Sequence, residues 1–392
     1  MKPGMPNTRV VPDGTAIAGG MDIVGSPIFS KPGHARIAYN YEWSTGGGLE
    51  RIAGIEPFDG QPSPSAAVYV YLQCSEDITG ISLGDTVDGA DTGASGRVIY
   101  LSGAFIGLTR VSGSFALEDL EVSSVVKATV SNLTPAVDGF LDNTLAKLAA
   151  DDYQADIAKV PGSGRVRGIA ILNNEVFAWR DNALATAMVI HKATSSGWVE
   201  VPMLHQVSFT AGGASEYVDG EAPTQGGVSA TGKRVVLESG TWAAGTAAGR
   251  LIITAPSGGV FSAGAAGGGG ACTLSGASAL IALAPGGRVR THAFTFTARQ
   301  EDKRLYGCDG VNPEFEFDGT VYAPISTGMD TIRATAVKCH KNHLFYAYRG
   351  SLQHSAIGAP YVWSVVFGAG ELGTGDEITN LISVGGNAGA AA

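Results

Sequence analysis

"IAILNNEVFAWRDN", Ile169 to Asn182, decides the architecture. An apolar run enters Asn173-Asn174 and an apolar-aromatic run leaves it toward Arg180-Asp181. Asparagine tolerates left-handed backbone, so the pair reads as a two-residue hairpin turn between strands Ile169–Leu172 and Val176–Trp179. A further strand is expected at Met188–His191. The form returns in "RLYGCDGVNPEFEFDGTVYAPI" (Arg304–Ile325), where Leu305-Tyr306, Phe315–Phe317 and Val321-Tyr322 are strands and Asp318-Gly319 a turn. It returns again in "HLFYAYRGSLQHSAIG" (His343–Gly358), which turns at Arg349-Gly350. Repeated meander hairpins predict a mainly β fold with a hairpin-rich, propeller-like core.

Two small β modules interrupt that core. "GDTVDGADTGASGRVIYLSGAF" (Gly84–Phe105) and "GEAPTQGGVSATGKRVVLESGTW" (Gly220–Trp242) each open on a Gly-acid pair, Gly84-Asp85 and Gly220-Glu221. Each then reaches a Gly-basic pair (Gly96-Arg97, Gly232-Lys233), a β-branched stretch, a Ser-Gly and an aromatic residue. The first module is placed at 76–130, with strands Arg97–Leu101, Phe105–Val111 and one near Val122–Val130; the second is placed at 216–285. Within the second, "GAAGGGGA" (Gly264–Ala271) reads as a floppy low-complexity loop, and no Lys-Ser/Thr follows it as a phosphate cradle requires. The core is then discontinuous: 67–75, 131–215 and 286–392. One long helix is expected over 139–160, because Leu141, Leu145, Leu148, Ala149, Tyr153 and Ile157 share a face, Asp138 caps it and "PGSG" stops it. Residues 1–66 are punctuated by Pro and Gly and read as an extended N-terminal arm ordered by a neighbour.

Composition narrows the function classes. The 56 glycines are about twice the usual share, which favours turns over long helices. A formal charge of -10 argues against a protein that grips nucleic acid, since phosphate binding needs a basic footprint. Cys74, Cys272, Cys308 and Cys339 are too sparse for a disulfide framework and read as small buried hydrophobes. The N-terminus lacks an apolar signal region and no 18-residue apolar run occurs, so no membrane insertion is expected.

No catalytic constellation emerges. Ser95 in "GASGR" and Ser229 in "GVSAT" lack the closing glycine of a nucleophile elbow. Cys339, His340, His343 and His354 are the densest ligand set, but a spacing of three on a strand sends His340 and His343 to opposite faces. Asp85, Asp88 and Asp91 miss the alternation of calcium loops and read as a solvated turn. Glu314, Glu316 and Asp318 alternate with Phe315 and Phe317, as in a half-buried strand rather than a glycosidase pair. Catalytic, cofactor-binding and metal residues are therefore each expected to be none, and the chain is expected not to be an enzyme.

"NYEWSTGGGLERIAGIEPFDGQPSPSAA" (Asn40–Ala67), "DDYQADIAKVPGSGRVRGIA" (Asp151–Ala170), "LYGCDGVNPEFEFDG" (Leu305–Gly319), "HKNHLFYAYRGSLQHSAIGAPYVWS" (His340–Ser364) and "GAGELGTGDEIT" (Gly368–Thr379) carry a resemblance. They are similar to a family of structural proteins of tailed phages and prophages, with β-propeller-like cores. By analogy with nozzle or tube proteins of short-tailed phages, the resemblance implies a virion subunit assembled in the host cytoplasm as a ring below the portal. It further implies contacts with copies of itself (a hexamer), with portal, adaptor and other tail proteins, and with DNA that passes without specific binding during ejection. Family members continue past "GDEIT", whereas this chain ends in "GGNAGAAA"; either it is truncated or a neighbouring subunit completes its framework. The arm, Val10–Ala38 above all, is expected to strap a neighbour. The alternative is a tail-associated adhesin or carbohydrate-binding module displaying Trp198, Trp242 or Trp363.

Overall fold

The computed structural model describes residues 34, 41–43, 49–52, 54–213, 215–297, 299–329 and 331–383. Strand makes up 44% and helix 8%, so the chain is mainly β, with one α-helix among the described residues. It divides into Met1–Pro57 and Phe58–Ala392. In the first unit Tyr41–Trp43 pairs antiparallel with Leu49–Arg51, so the region assigned to an extended arm contains a short strand pair. Residues 58–66, also given to the arm, belong to the second unit: the buried Asp59 carboxylate accepts the amides of Gln61 and Ala158, both at 2.9 Å. The proposed strap, Val10–Ala38, lies outside the described residues apart from His34.

The first module is a closed six-stranded barrel ordered Tyr69–Cys74, Phe105–Ser112, Ser95–Ser102, Thr86–Gly89, Asp119–Val122, Val125–Asn132. Alternate residues of these strands, among them Leu72, Val87, Val98, Ile106, Leu108, Leu120 and Val130, fill its interior. The second module follows the same path. Gly232–Ser239, Ala248–Ile253, His205–Gly212, Cys272–Leu274 and Gly264–Ala266 neighbour one another in that order. They correspond in sequence order and pairing to Ser95–Ser102, Phe105–Ser112, Tyr69–Cys74, Val125–Asn132 and Asp119–Val122. Where Thr86–Gly89 closes the barrel, residues 220–224 span the same gap: Gly232 donates to Glu221 O at 2.6 Å and Thr224 to Gly267 O at 2.7 Å.

Two sequence expectations change here. Each module begins one strand earlier than its boundary, because Tyr69–Cys74 is a strand of the closed barrel and His205–Gly212 a strand of the second module's open sheet, and neither belongs to the core. The glycine tract is not a floppy loop. Gly264–Ala266 is a strand, and a Cβ on Gly270 would sit 2.6 Å from the Tyr217 ring. Tyr217 in turn donates to Gly267 O at 2.7 Å, so the missing side chains are what lets two backbones close.

The helix spans Gly139–Asp156, and Asp138 accepts Leu141 N at 2.7 Å as its N-cap. Its buried Leu145 and Ala149 lie against the first barrel, where a Cβ on Gly107 would come within 2.8 Å of Leu145. Asp152 draws in Arg97 at 3.0 Å and Arg110 at 2.5 Å from two barrel strands. The helix ends at Asp156, four residues short of the expected limit, because Ile157 turns to extended backbone.

Twelve further strands form three four-stranded antiparallel meanders. The first sheet holds Ser163–Leu172, Glu175–Asp181, Met188–Thr194 and Gly197–Glu200. The second holds Arg290–Phe294, Arg304–Cys308, Glu314–Phe317 and Tyr322–Ile325. The third holds Ala336–His340, His343–Tyr348, Ser351–His354 and Gly370–Gly373. Asn173 and Asn174 take φ of 50° and 65°, and Lys341 and Asn342 take 47° and 60°, the left-handed pairs that two-residue hairpin turns need.

The second sheet lies between the other two. Phe315 and Phe317 face the first sheet, where Phe177 meets Phe317 at 5.0 Å and Trp179 meets Phe315 at 6.2 Å between centroids. Glu314 and Glu316 point the other way: Ala334 N donates to Glu314 at 2.8 Å and Tyr361 to Glu316 at 2.5 Å. Tyr306, Cys308, Leu344, Tyr346 and Tyr348 complete that second core. The strand expected to be half-buried is therefore buried on both faces, since a sheet covers each.

Candidate functional site

The densest chemistry among the described residues is a charge network between the second module and the second sheet. Glu316 is 1% exposed and accepts Arg304 Nη1 at 2.8 Å, Tyr361 Oη at 2.5 Å and Tyr306 Oη at 3.3 Å. Arg234, on the module strand Gly232–Ser239, brings its Nε within 3.5 Å of the same carboxylate. Its other nitrogens hold Asp219 at 2.8 Å and Asp318 at 2.5 Å. Burial, reinforced by the Glu316 charge, pushes the Tyr361 and Tyr306 hydroxyls well above the usual tyrosine range. They therefore stay protonated and donate. Every carboxylate here faces a cation or a hydroxyl, so the arrangement locks the module to the sheet.

Glu314 is fully buried and one of its oxygens has no hydrogen-bond partner among the described residues. Burial pushes its carboxyl up, against the pull of the Ala334 amide. Neither Glu314 nor Glu316 is reachable from solvent, so they cannot flank a sugar chain.

The other sequence candidates scatter. His340 and His343 flank the Lys341-Asn342 turn and are directly paired, which places them on one face. The expectation of opposite faces failed because it assumed an uninterrupted strand. His343 and His354 each direct Nδ1 at Ser355 O, at 2.7 and 3.0 Å, while Cys339 is buried on the other face of the sheet. No group of three metal-ligating residues is assembled among the described residues. Asp85 caps its own turn by accepting Ser82 N at 2.8 Å, and Glu221 accepts Val218 N at 2.8 Å in the same way. The Gly-acid repeat is thus a repeated turn. The Gly-basic pairs do not superpose on it: Gly84 N donates to Val98 O, whereas Gly220 N donates to Gly232 O. Trp242 is buried in the second module, stacked on Phe209 at 5.2 Å, and Trp363 stacks on Tyr346 at 5.6 Å. Trp198 is half-buried with its edge to Phe58.

Sequence reasoning missed two features. Glu118 is 3% exposed and accepts the amides of Asp91 and Thr92 at 2.8 Å each, Ala116 N at 2.9 Å and Thr92 Oγ1 at 2.6 Å. Burial alone would raise its pKa; these four bonds outweigh it and hold the carboxyl at about 2. No local pattern marks it, because Thr92 and Asp91, which supply three of the four bonds, lie 26 and 27 residues away. The second feature was legible: "GRVR" occurs twice, at Gly164–Arg167 and Gly287–Arg290. Each copy leads into or lies within the first strand of a sheet, and Val289 N donates to Arg167 O at 3.0 Å, so the copies lie side by side. No protein-family model matches the chain, and no curated protein matches it.

Proposed function

We propose that the chain is a structural subunit of a phage tail, forming a ring by association with its own copies, as a nozzle or tube component below the portal. The observation that carries this reading is the pair of open faces at the ends of the three-sheet stack. In the first sheet Ala170 and Leu172 face the second sheet, while Ile169 and Ile171 on the opposite face are 65% and 64% exposed. In the third sheet Leu344 and Tyr346 face inward. Phe345 and Leu352 on the outer face line a groove of about 250 Å³ with Lys338, His340, Leu381 and Ile382. The stack is blade-like in strand order, and three blades are too few to close a propeller, so the same face-to-face packing extends between copies. Two different faces on one molecule make a head-to-tail contact, the kind that closes into rings. The barrel and the second module hang from this framework as spacers or contact surfaces. The resemblance to tail proteins in Asn40–Ala67, Leu305–Gly319 and His340–Ser364 supports the same reading.

The adhesin alternative needs an aromatic platform, and Trp242 and Trp363 are engaged in packing. The test is mass photometry and electron microscopy of the purified chain beside an Ile169→Asp/Ile171→Asp variant. Rings from the parent chain and monomers from the variant are the expected pair of results. A parent chain that stays monomeric at micromolar concentration, and that is absent from purified virions, would sink the proposal.

A further inference from the structure

The first strands of the three sheets concentrate positive charge in a molecule that is otherwise acidic. Ser163–Leu172 carries Arg165 and Arg167; the second sheet's first strand and the turn before it carry Arg288 and Arg290; Ala336–His340 carries Lys338 and His340. None of the three strands holds an Asp or Glu. They are neighbours: Val289 N donates to Arg167 O at 3.0 Å, and Cys339 N to His292 Nδ1 at 3.2 Å. Arg167 is neutralised by buried Asp181. Arg165 and Arg288 are exposed and make no ion pair among the described residues, and Arg290 only donates to Thr379 O at 2.7 Å. Lys338 is half-buried at the rim of the third-sheet groove.

We infer that this strip contacts the phosphate backbone of duplex nucleic acid, without reading its sequence. The two GRVR segments lie side by side and bring the guanidinium groups of Arg165, Arg288 and Arg290 onto neighbouring segments, which suits a partner whose charge is itself evenly repeated. The strip thus qualifies the expectation drawn from net charge: a total of -10 does not preclude a local basic footprint. Arg165, Arg288, Arg290 and Lys338 are the available cations. With about four phosphate contacts, log affinity falls with log salt at a slope near -3.6, or roughly 100-fold between about 50 and about 200 mM salt. The source of the duplex, DNA moving through a tail, rests on the proposed function; the binding does not.

The test is fluorescence anisotropy of a labelled duplex of about 25 base pairs with the full chain, across a salt series. The parent, an Arg165→Gln/Arg288→Gln variant and a Lys147→Gln control on the exposed helix face are compared, with circular dichroism checking that each is folded. The parent is expected to bind duplexes of unrelated sequence equally. The double variant should lower the slope by about 2, so that the same salt step costs roughly 10-fold, and the control should match the parent. No duplex binding at the lowest salt, or an unchanged slope in the double variant, overturns the inference. So does competition by poly-glutamate as effective as by duplex at equal charge, which would assign the strip to an acidic protein. Binding by a chain that never forms rings would keep the strip and defeat the tail reading; rings without binding would do the reverse.

Discussion

Replacing Glu118 by Gln tests how one buried carboxylate holds the end of the first barrel. One oxygen accepts the amides of Asp91 and Thr92; the other accepts Ala116 N and the Thr92 hydroxyl. An amide side chain is nearly isosteric but puts an NH2 where one oxygen stood. Facing Asp91 and Thr92, it opposes two donors. Facing Ala116, it opposes one donor and a hydroxyl that already accepts Ala94 N at 3.1 Å. Either orientation loses about two bonds, and a buried unsatisfied donor costs about 1–3 kcal/mol. A local loss of about 2–4 kcal/mol is expected, since the turn can relax. Hydrogen exchange at the amides of residues 91, 92 and 116 reads this directly, as a roughly 30- to 1,000-fold fall in protection. The sign with pH follows from the depressed pKa. The carboxylate's contribution is complete above the unfolded value near 4.5 and is lost as pH falls toward about 2. The gap between parent and variant should therefore narrow across that window. Equal protection in both proteins at neutral pH would refute the reasoning.

Gly270→Ala should destabilise the second module by about 2 kcal/mol or more, because the new methyl meets the Tyr217 ring and amide; thermal melting of the full chain checks it. Arg234→Met should cost about 3 kcal/mol by leaving Asp318 without its cation and Glu316 with Arg304 as its remaining cation. Limited proteolysis should then cleave between the second module and the sheets before either is degraded. Glu314→Gln should have the opposite pH signature to Glu118→Gln. Burial raises the Glu314 pKa, so its neutral form's contribution is complete below about 4.5 and lost as pH rises; the amide should flatten that loss in urea melts.

The hairpins and the helix were legible because their signals are local. Asn173-Asn174 can adopt two left-handed residues, and the 3.6-residue period over 139–156 needs only nearest turns. The module repeat was legible through Asp85 and Glu221, which make the same turn, but not through Gly96 and Gly232, whose pairing differs. Boundaries were not legible. Nothing in Tyr69–Cys74 or His205–Gly212 separates a module strand from a strand of the meander sheets, since each mixes apolar and polar residues as those strands do. Burial on two faces was equally hidden: Glu314 and Glu316 look solvent-facing until a third sheet covers them. The glycine tract misled because low complexity and close backbone packing leave the same letters.

Asp181 connects the framework to the basic strip, and its removal separates geometry from charge. Its carboxylate pairs with Arg167 and also accepts Gly286 N at 3.2 Å, tying the first sheet to the turn that carries Arg288. The Arg167 bond holds its pKa below the usual carboxylate range, so its contribution is present above about pH 4 and lost as pH falls. Asp309 stands in the matching position after the second strand of the second sheet, where it accepts Val311 N at 2.8 Å and Asn312 N at 2.7 Å. Asp181→Asn keeps the shape but frees Arg167 from its counter-charge. Stability should fall by about 3 kcal/mol at pH 7, since a part-buried guanidinium loses its buried carboxylate partner. Duplex binding should move the other way: one more uncompensated cation should steepen the salt slope by about 1. A variant that melts earlier yet binds with an unchanged slope would place Arg167 outside the strip. One that loses binding altogether would show that alignment of the two GRVR strands, and not their charge alone, holds the phosphates.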